Sequence, residues 1–308
     1  MRAAAVVNLR AGAVRAGRRW PDLARRLKAA IPGVECCFTE GPGQGALLAE
    51  KLARAGFDPV IAAGGDGTVN EVVNGLVAAA CDVRLGVLPL ASGGDFARSL
   101  GLGGVRHALE TLMAGEAQAI DVARARFGPS GGTGERHFVN VASVGLGAEV
   151  ARAVETRWRA LPGRLRYLAA AVPRLGRGKG VNASLWLDGE AAGTFPITTV
   201  ALANGCYQGG GICIAPQAKL ADGQIDVTVV EHVSLAEVAR HLPLLFSGAI
   251  YSYPKVHHYR AARVRVEAAA DTPVELDGEA VGAGWLEAEL LPRRLRLIRP
   301  KGVCGALQ

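Results

Sequence analysis

The chain has 308 residues and a mass of 31.9 kDa, half of it apolar, with 41 glycines and 15 prolines. That is length enough for one large or two medium domains with full cores, and the composition excludes a disordered tail and a collagen-like repeat. The net charge of +7 is unevenly placed: residues 2–28 carry +7, residues 152–179 another +7, and the rest −7, which suits an anionic ligand or surface met at particular places and excludes a nucleic-acid binder that is basic throughout.

In chain order, an apolar strand is expected at 3–7, ending at Asn8 and Gly12. A helix at 20–30 is stopped by Pro32 and Gly33, and a second strand covers 34–39. A helix at 45–56, a buried strand at 59–63, a helix at 69–80 and a strand at 84–88 follow. Alternation of this kind means parallel strands joined by crossover helices, with ligands beyond the carboxyl ends of the strands. Past about Asp121 the pattern changes to short alternating runs at 137–141, 183–187, 197–203, 225–230, 263–266, 272–276 and 285–290, separated by glycine-rich turns. These predict an antiparallel second domain. A last strand-like run at 295–300 is expected to return to the first domain. The expected domains are thus 1–125 with the returning 293–308, and 126–292.

A helical insert is expected at about 149–175, where Trp158, Leu161, Leu165, Tyr167 and Leu168 stand among arginines. Two readings stay open: an interfacial helix drawn to anionic phospholipid head groups, or an amphipathic helix packed on its own domain. The six cysteines, Cys36, Cys37, Cys81, Cys206, Cys213 and Cys304, show no metal-ligand spacing and read as reduced, cytosolic thiols. No run approaches the roughly 18 apolar residues of a membrane span, and the N-terminus has no secretory pattern, so the expectation is a cytoplasmic protein. His257 and His258, adjacent on a strand, point to opposite faces and read as structural rather than metal-binding.

Two turns carry the chemistry. After the strand at 59–63 comes Gly64-Gly65-Asp66-Gly67-Thr68-Val69-Asn70 leading into a helix. Glycines at a strand-to-helix turn let backbone approach a ligand, and the helix N-terminus offers N–H groups to phosphate. Asp66 suits a metal held on phosphates, and Thr68 suits a helix cap or an oxygen ligand. After the next strand comes Leu90-Ala91-Ser92-Gly93-Gly94-Asp95-Phe96, again small residues and an acid where a strand feeds a helix. Both turns open at the same edge of a parallel sheet.

GGDGTVNEVVNGL followed by LPLASGGDFARSLGL resembles the diacylglycerol kinase catalytic domain of soluble bacterial lipid kinases, a family that includes sphingosine and ceramide kinases. The likeness continues through Phe138-Val139-Asn140 with Gly145 to Ala148, through Asn204-Gly205, Gly209-Gly210-Gly211, Ala215-Pro216 and Asp222-Gly223, to Asp277-Gly278-Glu279. It implies an NAD-kinase and phosphofructokinase-like three-layer α/β domain followed by a β-sandwich. It further implies ATP surrounded by Asn8, Gly12, Thr39, Gly64, Gly65, Asp66, Gly67, Thr68, Asn70 and Ser92. Asp66, Asp95 and Asp121 would gather around a catalytic Mg²⁺ and its water shell, and Glu279 would be the general base. A second, structural Mg²⁺ would take Asp222 and the main-chain carbonyls of Lys219 and Gln224, although Asp-Gly between strands is also a common hairpin turn. The implied acceptor is a lipid alcohol such as diacylglycerol, met by peripheral association with a membrane, and a homodimer is a further expectation. The alternatives are a catalytically silent lipid- or nucleotide-binding homologue and a kinase of a soluble small molecule. Two turns depart from the pattern: 8–12 reads NLRAG without the usual proline, and 91–94 reads ASGG in place of G-T-G-N.

Overall fold

The run Val60–Gly64, β3, is buried at every position, which fits a strand covered on both faces. The computed structural model describes residues 2–11, 15–90, 94–128, 133–147 and 180–301. Two compact units emerge, 1–122 with 292–305 and 123–291 with 306–308.

In the first unit, β3 is flanked by β1 (Ala4–Val7) and β4 (Arg84–Pro89), with β2 (Glu35–Phe38) outside β1, all parallel. The crossovers are helices α1 (Arg15–Ala30), α2 (Gln44–Arg54) and α3 (Asp66–Ala79). A five-residue α4 (Asp95–Ser99) and α5 (Val105–Ala114) follow β4. Because β1 lies between β2 and β3, the chain reverses direction there. Right-handed crossovers then put α1 on one face and α2 with α3 on the other, so α2 packs on α3 while α1 packs on α5. The returning end of the long strand β17 (Trp285–Arg299) pairs parallel with β4 at Arg296 and Leu297.

The second unit is antiparallel. Its strands are the end of β5 (Glu116–Gly128), β6 (Gly134–Phe138), β7 (Val141–Gly145), β8 (Val181–Leu187), β9 (Glu190–Ala203), the short β10 (Tyr207–Gln208) and β11 (Ile212–Cys213), β12 (Ile225–Glu231), β13 (Val256–Ala261), β14 (Arg263–Glu267), β15 (Pro273–Leu276), β16 (Glu279–Ala283) and the start of β17. The first half of β9 pairs with β8 and its second half lies between β7 and β12, so this strand passes from one layer of the sandwich to the other. Phe127, Phe138, Leu185, Leu202, Ile225, Val264, Leu276 and Leu286 fill the space between the layers. In β14 and the start of β17 apolar residues alternate inward with Arg and Glu outward, the one-faced pattern of antiparallel strands.

Several local expectations change. Helix α3 begins at Asp66 rather than Val69, so half of the glycine-rich turn is already helical. Helix α1 begins at Arg15 and runs through Pro21. The run 137–141 divides into β6 and β7 because Val139 and Asn140 leave the ladder to bond a distant carboxylate. The two runs at 285–290 and 295–300 are one strand. Helix α6 (Leu235–Ser247) was not expected; Ser234 and Glu237 close its start with a reciprocal capping box. The insert expected at 149–175 lies outside the described residues. The five described cysteines are free thiols, and burial pushes Cys206 up to about 12, a neutral apolar side chain in its core.

Candidate active site

Register lines up four strand ends at one edge of the parallel sheet. Val7, Phe38 and Ala63 are neighbours across β2, β1 and β3, and Gly64 stands beside Pro89. The next residues continue the ladder: Asn8 N–H donates to Ala63 O at 2.9 Å, Thr39 N–H to Val7 O at 3.0 Å, and Leu90 N–H to Gly64 O at 2.8 Å. Asn8, Thr39 and Gly65 are thereby set in a row at the carboxyl edge, where a doubly wound sheet binds ligands. Gly12 and Ser92 lie outside the described residues.

The turn explains its own composition. A Cβ on Gly64 would run into the Thr68 side chain, so this glycine lets the first turn of α3 fold back over the strand end. Asn8 Nδ2 donates to Thr68 Oγ1 at 3.1 Å and so ties the end of β1 to α3. Gly65, the N-cap, is extended and supplies no side-chain cap, so the opening N–H groups of α3 are not consumed by one. Asn70 is fully buried one turn into α3, and its Oδ1 accepts from Asn74 Nδ2.

The three acids expected around Mg²⁺ are each engaged with protein. Asp66 Oδ2 and Oδ1 accept the N–H groups of Asp95 and Phe96 at 3.0 Å, so its carboxylate caps α4. Asp95 is buried and accepts from Arg98 Nη1 at 2.5 Å. Asp121, also buried, accepts the N–H of Arg293 at 2.7 Å and holds that residue at φ 50°. Among the described residues no three carboxylate, imidazole or thiol groups lie close enough to hold a metal. The hard oxygen donors at this edge suit Mg²⁺, but only as an ion that arrives on nucleotide phosphates and completes its shell with water. One contributor was not singled out from the sequence: Glu71 accepts the N–H groups of Gly43 and Gly45 at 2.7 Å each and so fastens the start of α2 to α3.

In the second unit three motif segments meet at Asn140. Its carbonyl accepts the N–H groups of Asn204 and Gly205 at 2.8 and 2.9 Å, and its Nδ2 donates to Tyr207 O at 2.7 Å. Asn204 Nδ2 returns a bond to Val139 O at 3.0 Å. The buried Asp277 carboxylate accepts from the N–H groups of Val139, Asn140 and Val141 at 2.9 to 3.1 Å. Asp277 itself sits at φ 48°, and Gly278 N–H donates to the buried Glu275 at 2.6 Å. Glu279 follows at the start of β16, half-buried, with Oε2 accepting from Arg136 Nη1 at 2.9 Å. The turn is thus rigid at Asp277 and presents a half-open carboxylate at Glu279. Neither Asp277 nor Arg136 was given a role by the sequence, because their partners lie more than 130 residues away.

Of the residues expected to hold a structural Mg²⁺, Asp222 has a carboxylate already partnered by protein. Asp222 Oδ1 accepts the N–H of Gln224 at 3.1 Å, and Oδ2 is ion-paired with Arg260 Nη2, so a fixed positive charge already occupies the carboxylate.

Residues 2–125 match the diacylglycerol kinase catalytic domain, and residues 140–299 match the YegS C-terminal NAD kinase beta sandwich-like domain. The chain is 34% identical over 268 residues to "Probable lipid kinase YegS-like" of Chromohalobacter salexigens, covering 84% of this chain and 82% of that one. It is 29% identical over 283 residues to a diacylglycerol kinase of Staphylococcus aureus, covering 91% and 87%. A crystal structure of a diacylglycerol kinase from Bacillus anthracis str. Sterne shares the fold, with a TM-score of 0.71 at 21% identity over 98% of each chain. The two models follow one another along nearly the whole chain, and the residues that make the sheet-edge turn and the Asn140 junction are the motif residues themselves, so this chain belongs to the diacylglycerol kinase family of lipid kinases.

Proposed function

We propose that this protein transfers the γ-phosphoryl group of ATP to the hydroxyl of a lipid alcohol, diacylglycerol or a near relative. The observation that carries the reading is the edge of the parallel sheet, where Gly64 and Gly65 open the backbone and α3 begins without a side-chain cap. Phosphates there would meet helix N–H groups, with Asn8 and Thr39 lining the same row. In the transfer, the acceptor oxygen forms a bond to the γ-phosphorus while the bond to the β,γ-bridging oxygen breaks, releasing ADP. The acceptor's proton passes to a carboxylate, for which Glu279 is the candidate, held in place by Arg136 and open on one side. Mg²⁺ bound to the phosphates would neutralise charge as it develops on the leaving ADP. Asp66 acts through structure: by capping α4 it fixes the second turn of the edge against the first. Access to the lipid is assigned to the cationic segment 152–179, which would meet anionic head groups peripherally.

The test is transfer of label from [γ-³²P]ATP to extracted lipids. Wild-type protein should label a lipid fraction, and Glu279→Ala should lose about 10²–10⁴-fold in kcat with unchanged unfolding temperature. Full activity in Glu279→Ala would remove it as the base. Label appearing only in a water-soluble acceptor would replace the lipid reading with a soluble-substrate kinase.

A further inference from the structure

The family resemblance places a divalent cation at the turn Asp222-Gly223, yet the structure places an arginine on its carboxylate. Register explains why the arginine can reach it. On the antiparallel pair β12 and β13, Asp226 and Arg260 are direct cross-strand partners, and Asp222 lies four residues before Asp226, on the turn that leads into β12. From that position the Arg260 guanidinium is ion-paired through Nη2 with Asp222 Oδ2, and its Nε stands 3.7 Å from Asp226 Oδ2.

Asp226 makes the arrangement more than a surface pair. Its side chain is fully buried, and His258 Nε2 lies 2.7 Å from Oδ1. Its Oδ2 has no hydrogen-bond partner among the described residues, so Arg260 is the charge facing that oxygen. A buried carboxylate without compensation is costly, and the guanidinium serves two acids at once. Asp222 Oδ1 meanwhile accepts the N–H of Gln224, so each oxygen of Asp222 already has a partner within the protein. A cation bound to Asp222 at the usual Mg–O distance of about 2.1 Å would stand against the guanidinium, and like charges so close repel.

We propose that in this chain Arg260 takes the place of the structural divalent cation: the Asp222-Gly223 turn is closed by an internal guanidinium and binds no metal. This inference concerns the fold of the second unit, and its test does not depend on whether the protein proves to be a lipid kinase.

The test is thermal unfolding of the full chain, without nucleotide, in excess EDTA and in millimolar MgCl₂. Wild-type protein should unfold at the same temperature in both. Arg260→Ala should unfold several degrees lower in EDTA, since both carboxylates lose their partner, and should regain part of that loss in MgCl₂ by admitting a cation to the vacated pair. Adding Asp222→Asn to Arg260→Ala should abolish the recovery. A wild-type unfolding temperature that rises with Mg²⁺, with the rise abolished by Asp222→Asn, would overturn the proposal. A rise that survives Asp222→Asn arises elsewhere and leaves the turn metal-free. An Arg260→Ala protein as stable in EDTA as the wild type would also overturn it. Should Arg260→Ala fail to fold, the wild-type and Asp222→Asn pair decides alone by the same criterion.

Discussion

Asp277 and Glu279 stand two positions apart and have opposite environments. Asp277 is buried and accepts three backbone N–H groups, whereas Glu279 is half-exposed with one ion-pair partner. Removing Asp277 strands three buried donors, each worth about 1–3 kcal/mol when left unmade. Asp277→Ala should therefore lose at least about 3 kcal/mol in urea unfolding. Asp277→Asn should lose less, because asparagine keeps one acceptor oxygen and tolerates the left-handed conformation found there. An Asp277→Ala protein within about 1 kcal/mol of wild type would show that water satisfies those amides and that the junction does not depend on the carboxylate. The sequence distinguishes these acids only by their place in a motif. The spacing D-G-E marks a turn, but which acid is spent on the fold is decided by Val139 to Val141, which arrive from a different part of the chain. Asp66 shows the same limit: as a motif acid it reads as a metal ligand, and only the placement of α4 shows its oxygens accepting backbone N–H groups.

At the scale of elements, the sheet edge proposed for nucleotide depends on α3 being seated correctly, and Gly75 sets that seat. A Cβ there would run into the Ala46 carbonyl and come within 2.9 Å of Ala49 Cβ, so α2 and α3 approach at a point with no room for a side chain. Two effects of Gly75→Ala oppose one another. Helix propensity favours alanine by about 1 kcal/mol. Overpacking against backbone that cannot yield costs about 1–3 kcal/mol. The clash is with main chain, so overpacking should win, and thermal unfolding of Gly75→Ala should fall by several degrees; an equal or higher temperature would show that α2 shifts freely. The elements were legible where one physical signal dominates. β3 and the buried middle of β4, residues 85–88, are apolar runs between breakers, and β14 alternates strictly, so period and burial agree. The signal failed where long-range bonding overrides the local pattern. Residues 137–141 look like one strand, yet Val139 and Asn140 serve Asp277. Helix α6 buries none of its residues fully, so its pattern of leucines gave no clear core face, although Ser234 and Glu237 spell its capping box.

At the scale of the whole molecule, the positive charge is concentrated in two segments, 2–28 and 152–179. In the first, Arg2 is paired with Glu35 and lies over the Phe57 ring, while Arg25 and Arg26 both bond Asp22. Those charges are already answered within the fold. Exposed pairs of this kind contribute little to stability, but they reduce the field the segment offers to an outside anion. The second segment, 152–179, holds eight basic residues against the single acid Glu155, on a chain whose remaining charge outside both segments is −7. On the proposed reading, anionic lipid attracts that segment while the acidic remainder of the chain is repelled. Each Lys or Arg near such a surface is worth about 1 kcal/mol, so exchanging Arg157, Arg159 and Arg164 for glutamate removes three attractions and adds three repulsions. Partition onto vesicles containing phosphatidylserine should fall by about 10²-fold or more at low ionic strength, and the wild-type difference should shrink with salt as the screening length drops to about 8 Å. Nucleotide affinity should not change, because none of the residues assigned to ATP, Asn8, Gly64 and Gly65 among them, lies in 152–179. Equal vesicle binding by the triple variant would assign these arginines to packing or solvation within their own domain and would require another route by which a lipid reaches the enzyme.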